Sequence, residues 1–297
     1  MSNDDAARTD RADAAARADG AAATDAAART NAATIGAHRM AYELRSYFRA
    51  PDSVFFTFLF PIVMLALFSV AFASAEDIHA SPTVSVDYAT YYLPGLVATG
   101  ILLSGTQSLG VDIAGERSDG TLKRLGGTPL PVVSYFIGKI GMVLVTTIVQ
   151  TALLLAVASL VFSVDLPTDG GAWARFAGIM LLGVATSCVL GIAVSALPRE
   201  GRRATATIVP IVLVLQFISG VYLPFTQLPD WLQNVASVFP LRWMASGMRS
   251  VFLPDAFASA EPGGAWHLGL GTLVLAAWLV VGAVACLLTF RWNRKDA

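Results

Sequence analysis

Long apolar runs alternate with short charged segments from residue 54 to the carboxyl end of the sequence. Six of these runs are long enough to cross the roughly 30 Å of hydrocarbon in a bilayer as helices. We place them at Val54–Phe72, Tyr91–Ile113, Ile140–Val164, Trp173–Leu197, Ala204–Tyr222 and Trp266–Phe290. Because lipid offers the backbone no hydrogen bonds, the pattern predicts an all-α integral membrane protein with six transmembrane helices.

The segment before the first run has two parts. Residues 1–34 contain no Leu, Val, Ile or aromatic residue, so we predict a disordered or fraying-helical cytoplasmic tail over residues 1–35 and a membrane domain over 36–297. The tail has no apolar core and carries aspartates, which argues against a cleaved signal peptide. From His38 to Arg49 apolar residues recur at helical spacing, and this predicts an amphipathic helix in the headgroup layer.

Composition and charge placement agree with a membrane protein. The chain is 55% hydrophobic and only 14% charged, far from the usual composition of soluble domains. Thirteen Lys and Arg residues near the run ends collect on one side, and only Arg175, Arg242 and Arg249 fall on the other. The positive-inside rule then places both termini in the cytoplasm.

Small residues recur every four positions in the fourth run, at Gly183, Ser187, Gly191 and Ser195. In lipid such a stripe allows two helix backbones to approach closely, so we predict a helix-packing face. The two cysteines lie inside apolar runs and the three histidines are isolated, so we expect neither a disulfide framework nor a metal site.

Motifs that would carry enzyme chemistry are absent from the sequence. The Gly138-Lys139 pair lacks the glycine spacing of a Walker A loop, and neither a Gly-x-Ser-x-Gly nor a His-Glu-x-x-His motif occurs. Leu103–Gln107 is similar to the signature sequence of an ATPase of the ATP-binding-cassette (ABC) type, but it lies inside an apolar run. We therefore predict no catalytic residues and no cofactor bound by this chain.

The charged stretch from Glu116 to Lys139 separates the second and third runs. Gly120 can end the preceding helix, and Thr121–Leu125 can form a short helix with Leu122 and Leu125 on one side. A basic cytoplasmic loop would account for the charges alone. It would not account for a short helix, bounded by glycines, whose leucines are expected to face water.

This stretch resembles the intracellular loop of the type-2 ABC exporter permeases. The similarity rests on Glu116-Arg117-x-x-Gly120-Thr121-Leu122-x-x-Leu125-x-x-Thr128-Pro129-Leu130, followed by Gly138-Lys139. The resemblance implies a coupling loop over residues 114–139 that docks on a partner ATPase. The residues it implicates in coupling are Glu116, Arg117, Gly120, Thr121, Leu122, Leu125, Pro129 and Lys139. Gly126-Gly127 departs from the bulkier residues common there.

A second match lies between the fifth and sixth runs. It comprises Ser219-Gly220-x-x-Leu223-Pro224, Leu228-Pro229-x-Trp231-Leu232, Phe239-Pro240-Leu241 and Arg249. The prolines divide this region into pieces too short to span a bilayer. The resemblance implies a re-entrant hairpin over residues 223–250 that closes the substrate exit. Its implied gate residues are Leu223, Pro224, Pro229, Phe239 and Pro240.

The resemblance implies a transport subunit of a bacterial plasma membrane exporter. Its expected partners are two cytoplasmic ABC ATPase subunits, which hold ATP and Mg, a second or related permease copy, and the lipid bilayer; nucleic acid is not expected. A hydrophobic drug or antibiotic is the first expected cargo, with a lipid or polysaccharide as the alternative. An ion-coupled secondary carrier and a membrane-embedded enzyme remain alternatives from other classes.

Overall fold

The computed structural model describes residues 31–73, 76–198 and 200–289, so residues 1–30 of the predicted tail lie outside the described residues. The described chain is helical apart from one small β-hairpin. The helices are α1 (residues 31–48), α2 (Pro51–Val54, Phe55–Leu59 and Phe60–Ala71), α3 (Tyr88–Ser118), α4 (Thr121–Gly126), α5 (Val132–Phe162), α6 (Gly170–Val194), α7 (Ala204–Ile218), α8 (Asp230–Ser237), α9 (Pro240–Phe252) and α10 (Leu268–Thr289). Short 3-10 turns cover Gly201–Arg203, Phe225–Gln227, Asp255–Ala260 and Pro262–Gly264.

Within the described residues, four helices are long and apolar enough to cross a membrane: α3, α5, α6 and α10. The first and fifth predicted runs form the shorter apolar helices Phe55–Ala71 and Ala204–Ile218. The prediction of an all-α membrane protein is therefore confirmed, whereas the count of six transmembrane helices stays a prediction. Helix α1 includes residues 31–35, the last residues of the predicted tail, and the domain boundary at residue 35 stays a prediction.

A β-hairpin that we did not predict connects α2 to α3. Strand β1 (Ile78–Ser81) pairs antiparallel with β2 (Val84–Val86), with Ile78 opposite Val86. Its apolar side chains pack beside a cluster that contains Tyr91, Tyr92 and Phe257. The hairpin thus belongs to the apolar packing at the beginning of α3.

Helix α3 is the centre of the packing, because it contacts α2, α5, α6 and α9. Helix α9 has only 13 residues, yet every one of them from Pro240 to Phe252 is buried. It packs against α3, α6 and α10. The region after α7 therefore places a short helix inside the bundle, where protein surrounds its backbone and its two arginines.

The small residues of α6 lie where α6 meets its neighbours. A Cβ atom added to Gly191 would lie 2.1 Å from the carbonyl oxygen of Gly105 in α3, and Thr106 Oγ1 donates to the Ser187 carbonyl at 3.1 Å. A Cβ atom at Gly183 would lie 2.8 Å from Met244 Sδ in α9. Three members of the predicted stripe therefore face α3 or α9. The fourth, Ser195, lies near the end of α6.

We expect Gly191→Ala to destabilise the α3–α6 contact, because the added methyl group would meet backbone that cannot rotate away. Overpacking of this kind costs about 1–3 kcal/mol. The midpoint of thermal unfolding in detergent micelles measures the effect. The matched control is Gly269→Ala, since a Cβ atom there meets nothing within 4 Å; equal midpoints for both variants would contradict the close approach.

Candidate functional site: a buried ion network behind a charged loop

The turn from α3 into α4 is built by a glycine and an aspartate. Gly120 has φ of 78°, a left-handed conformation that favours glycine. The Asp119 carboxylate accepts a hydrogen bond from the backbone N–H of Thr121 at 2.8 Å. Hydrogen bonds with Thr121 hold the pKa of Asp119 below its usual value. The chain therefore ends α3 at Ser118 and starts α4 in a fixed direction.

Helix α4 turns its leucines inward, opposite to the prediction. Leu122 is only 3% exposed and belongs to the main apolar core, and Leu125 packs against that core while partly buried. The prediction that these leucines face water is wrong, because one face of the short helix lies on the bundle. The exposed side chains of this segment are those of Lys123, Arg124, Thr128 and Pro129.

Lys139, one of the predicted coupling residues, lies in the interior of the helix bundle. The side chain is 0% exposed, and its ammonium nitrogen lies 2.9 Å from Glu43 Oε2 and 2.8 Å from Glu116 Oε1. It also pairs with the carboxylate of Asp112. A side chain in this position cannot contact a partner directly, and the coupling role of Lys139 stays a prediction. The residue instead joins α5 to α1 and α3.

Further polar contacts extend this ion network. The Tyr135 hydroxyl donates to Glu116 Oε2 at 2.6 Å. Arg39 on α1 lies 2.6 Å from Glu43 Oε1 and 3.5 Å from Glu116 Oε1. Because the partners come from three helices, the network fastens α1, α3 and α5 to one another.

Arg117 carries the connection on to α6. Its Nη1 atom donates to the Ser195 carbonyl oxygen at 2.7 Å, and Nη2 donates to Ser195 Oγ at 3.3 Å. Arg117, predicted for coupling, therefore contacts Ser195, predicted for helix packing. The side chain of Arg117 is partly buried. The end of α3 is thus tied to three neighbouring helices.

Three carboxylates of the network have the spacing of a cation site. Ligand atoms from Glu43, Asp112 and Glu116 all lie within 4.8 Å of one another. The ammonium group of Lys139 contacts all three, so the chain supplies its own cation there. The arrangement is an internal ion cluster that holds helices together.

A cavity of about 440 Å³ adjoins this network between α1, α2, α3, α5 and α7. Two π turns contribute to its wall, Phe55–Leu59 in α2 and Leu103–Ser108 in α3. Such wide turns often occur at functional sites. Hydroxyl and amide side chains line much of the cavity, and Glu43 and Asp112 contribute carboxylates.

The predicted exit-gate residues gather at the other end of α3, away from α4. Tyr92, near the start of α3, donates to the Tyr222 carbonyl oxygen at 3.3 Å, just before Leu223 and Pro224. Leu223 is 48% exposed, whereas Pro240 is buried at the start of α9. Pro229 is exposed and precedes α8.

Phe239 connects the two short helices to α10. Its ring stacks on Trp278 with centroids 6.1 Å apart. The structure therefore places Leu223, Pro224, Pro229, Phe239 and Pro240 along one segment around α8 and α9. It keeps them separate from the coupling residues.

A second buried ion cluster fixes this segment, and sequence reasoning missed it. Glu261 pairs with Arg242 at 2.5 Å and with Arg249 at 2.8 Å, and each of the three side chains is at most 4% exposed. Arg249 also donates to the Gly220 carbonyl oxygen. The cluster joins α9 to the turn after α7 and to the segment before α10. The one available signal was the scarcity of basic residues on that side, since Arg242 and Arg249 are two of the three assigned to it.

Comparison with known proteins agrees with this architecture. The family model described as ABC-2 type transporter matches residues 39–253. The probable multidrug ABC transporter permease YbhR of Escherichia coli K12 is 25% identical over 184 residues, which cover 62% of this chain and 49% of the relative. The same permease from Escherichia coli O157:H7 matches equally. The chain thus spans about half the length of the curated relatives it matches.

The family match includes both loop regions described above and extends over most of the chain. The arrangement of apolar helices fits a multi-pass membrane protein. The resemblance found in the sequence is therefore confirmed: the chain belongs to the ABC-2 type transporter family.

Proposed function

We propose that the chain is the permease subunit of an ATP-driven exporter that moves a hydrophobic, drug-like compound out across the bacterial plasma membrane. Two separate ATPase subunits would bind and hydrolyse ATP with Mg, and a second permease copy would complete the membrane unit. Family membership and the multidrug name of the relative support this proposal. Both termini would lie in the cytoplasm, as the distribution of basic residues predicts.

One observation carries the proposal: the exposed surface on and just after α4, with its two basic side chains, is attached directly to the helix bundle. We call Lys123, Arg124, Thr128 and Pro129 the docking strip, because these side chains are exposed on and just after α4. On the opposite side of α4, Leu122 is buried in the core. A push on the docking strip by an ATPase would therefore reach the bundle without an intervening flexible segment.

The ion network would pass that movement to several helices together. Glu116 lies a few residues before α4, and its carboxylate contacts Lys139 of α5 and Arg39 of α1. Arg117 adds the contact with Ser195 of α6. Since these groups are largely buried, their ion pairs resist separation better than surface pairs do. In this proposal Glu116, Arg117, Leu122 and Lys139 transmit movement, and the docking strip contacts the partner.

The cavity beside the network is the proposed place for cargo. Its wall combines the aromatic ring of Phe56 with hydroxyl groups of Thr57, Ser104 and Thr146. Mixed apolar and polar lining of this kind suits a small amphiphilic molecule. At the other end of α3, the segment from Leu223 to Leu241 would close the exit.

Charge reversal on the docking strip tests the coupling proposal. We expect the double variant Lys123→Glu, Arg124→Glu to reduce ATPase association at least tenfold, because both side chains are exposed and neither belongs to the buried network. Co-purification with the ATPase and ATP-dependent transport of a fluorescent dye in proteoliposomes measure the effect. Thermal stability should stay unchanged.

The control is Arg203→Glu, an exposed basic residue paired only with Glu200 among the described residues. This variant should retain association and transport. A docking-strip variant with full association and full ATP-dependent transport would contradict the coupling assignment. Transport that continues without any ATPase would instead favour an ion-coupled carrier.

A further inference from the structure

A second cavity, of about 280 Å³, lies between α6, α9 and α10, apart from the ion network. We call it the α6–α10 groove. Helix α6 contributes Arg175, Gly178, Ile179 and Leu182, and α10 contributes Leu268, Gly271, Thr272 and Leu275. Both sets follow the i, i+3, i+4, i+7 spacing of one helix face. From Arg175 to Leu182 the groove runs about 10 Å along the helix.

Arg175 gives one end of the groove an uncompensated positive charge. It is exposed, and it forms no ion pair among the described residues. The other two basic residues assigned to this side of the protein, Arg242 and Arg249, both pair with Glu261. A planar guanidinium group is well suited to bind two phosphate oxygens together.

Trp266 provides a second polar group at the same end. Its indole nitrogen is buried and has no hydrogen-bond partner within the described part of the chain. Trp243 also lines the groove, but its indole N–H already donates to the Ser237 carbonyl oxygen at 2.7 Å. A buried N–H without an acceptor is costly, so Trp266 marks a place where a ligand acceptor would be stabilised.

Below these groups the groove is apolar and kept open by glycine. A Cβ atom added to Gly178 would meet nothing within 4 Å, so the space beside it is empty of protein atoms. The side chains of Ile179, Leu182 and Leu275 form the walls. The groove therefore has a cationic entrance with a hydrogen-bond donor and an apolar interior that suits an acyl chain.

We propose that the α6–α10 groove binds one anionic phospholipid of the surrounding bilayer. Arg175 would contact the phosphate, the Trp266 N–H would donate to a headgroup or ester oxygen, and one acyl chain would lie along Gly178. Charge complementarity at Arg175 distinguishes this lipid from the annular lipids that contact the rest of the apolar surface. The site is separate from the proposed cargo cavity and does not depend on which compound is transported.

Native mass spectrometry of the purified full chain, titrated with phosphatidylglycerol or phosphatidylcholine in detergent, tests the proposal. The wild type should retain one phosphatidylglycerol in preference to phosphatidylcholine. Arg175→Gln should weaken phosphatidylglycerol binding about tenfold, since it removes a charge-assisted contact with a headgroup of net negative charge. It should weaken phosphatidylcholine binding less, because the choline cation already compensates the phosphate of that lipid. Gly178→Leu should weaken binding of both lipids, because it fills the groove.

Gly269→Leu is the matched control for Gly178→Leu. Gly269 is exposed on α10 outside the groove, and a Cβ atom there also meets nothing within 4 Å. This variant should bind phosphatidylglycerol like the wild type. The proposal is overturned if Arg175→Gln retains wild-type affinity for phosphatidylglycerol, or if Gly269→Leu loses as much lipid as Gly178→Leu.

Discussion

Replacing Lys139 by Met should lower the free energy of unfolding by about 3–5 kcal/mol, the usual cost of removing one partner from a buried ion cluster. The substitution keeps an unbranched side chain, shorter only by the charged end group, but leaves Glu43, Asp112 and Glu116 facing one another without the central cation. Arg39 contacts only two of the three carboxylates. The midpoint of thermal unfolding and the retention of folded protein after detergent extraction measure the loss.

Two further variants test whether the loss of stability in Lys139→Met comes from the ion cluster or from removing any lysine. Lys123→Met removes an exposed lysine from the same loop and should leave stability within about 0.5 kcal/mol of the wild type. Adding Glu116→Gln to Lys139→Met should restore part of the loss, because one of the repelling charges is removed. An unchanged midpoint for Lys139→Met, or no recovery in the double variant, would show that the cluster does not hold the helices together.

Replacing Glu261 by Gln should also destabilise the protein by about 3–5 kcal/mol, because it leaves two buried guanidinium groups without their shared carboxylate. The amide can still accept a hydrogen bond, but it carries no charge. Arg242 and Arg249 are at most 4% exposed, so water cannot replace the lost partner. The effect should appear as a lower unfolding midpoint together with faster proteolysis between α7 and α10.

Asp255→Asn provides the comparison for Glu261→Gln. Asp255 is exposed and lies six residues before Glu261 in the sequence, and it has no ion pair among the described residues. Its substitution should leave both the unfolding midpoint and the proteolysis rate unchanged. Equal behaviour of the two variants would mean that the second ion cluster does not fix α9.

The apolar pattern was sufficient to predict most of the helices. Transfer of long apolar runs into lipid and the need to satisfy backbone hydrogen bonds leave few alternatives for these segments. The short helix at Thr121–Leu125 was also predicted closely, since α4 covers Thr121–Gly126 and begins after a left-handed glycine. Local signals, such as a glycine before a helix, were therefore informative.

Local sequence patterns did not predict which side chains face the helix bundle and which face solvent. Leu122 and Lys123 are adjacent, and whether the leucine or the lysine faces the bundle depends on where α3 directs the chain. Lys139 and its partner Glu43 are 96 positions apart, so no local pattern links them. Glu261 likewise finds Arg242 and Arg249 only through the folded path of α9.

The β-hairpin was missed for a different reason. Its strands have only four and three residues, too few for an alternating pattern to stand out from a polar loop. Its apolar residues are stabilised by packing near Tyr91 and Tyr92 in α3. Tertiary contacts therefore decide the local structure of this segment.

The π turn at Leu103–Ser108 has a consequence for which neighbours α3 can reach. A π turn holds one more residue than an α turn, and one residue corresponds to about 100° of rotation about the helix axis. Side chains in the second half of α3 are therefore rotated about the helix axis relative to those in the first half. One continuous helix can thus face α9 near its beginning and direct Asp112 and Glu116 toward Lys139 near its end. The added residue thus turns Asp112 and Glu116 by about 100° from the direction that an uninterrupted α-helix would give them.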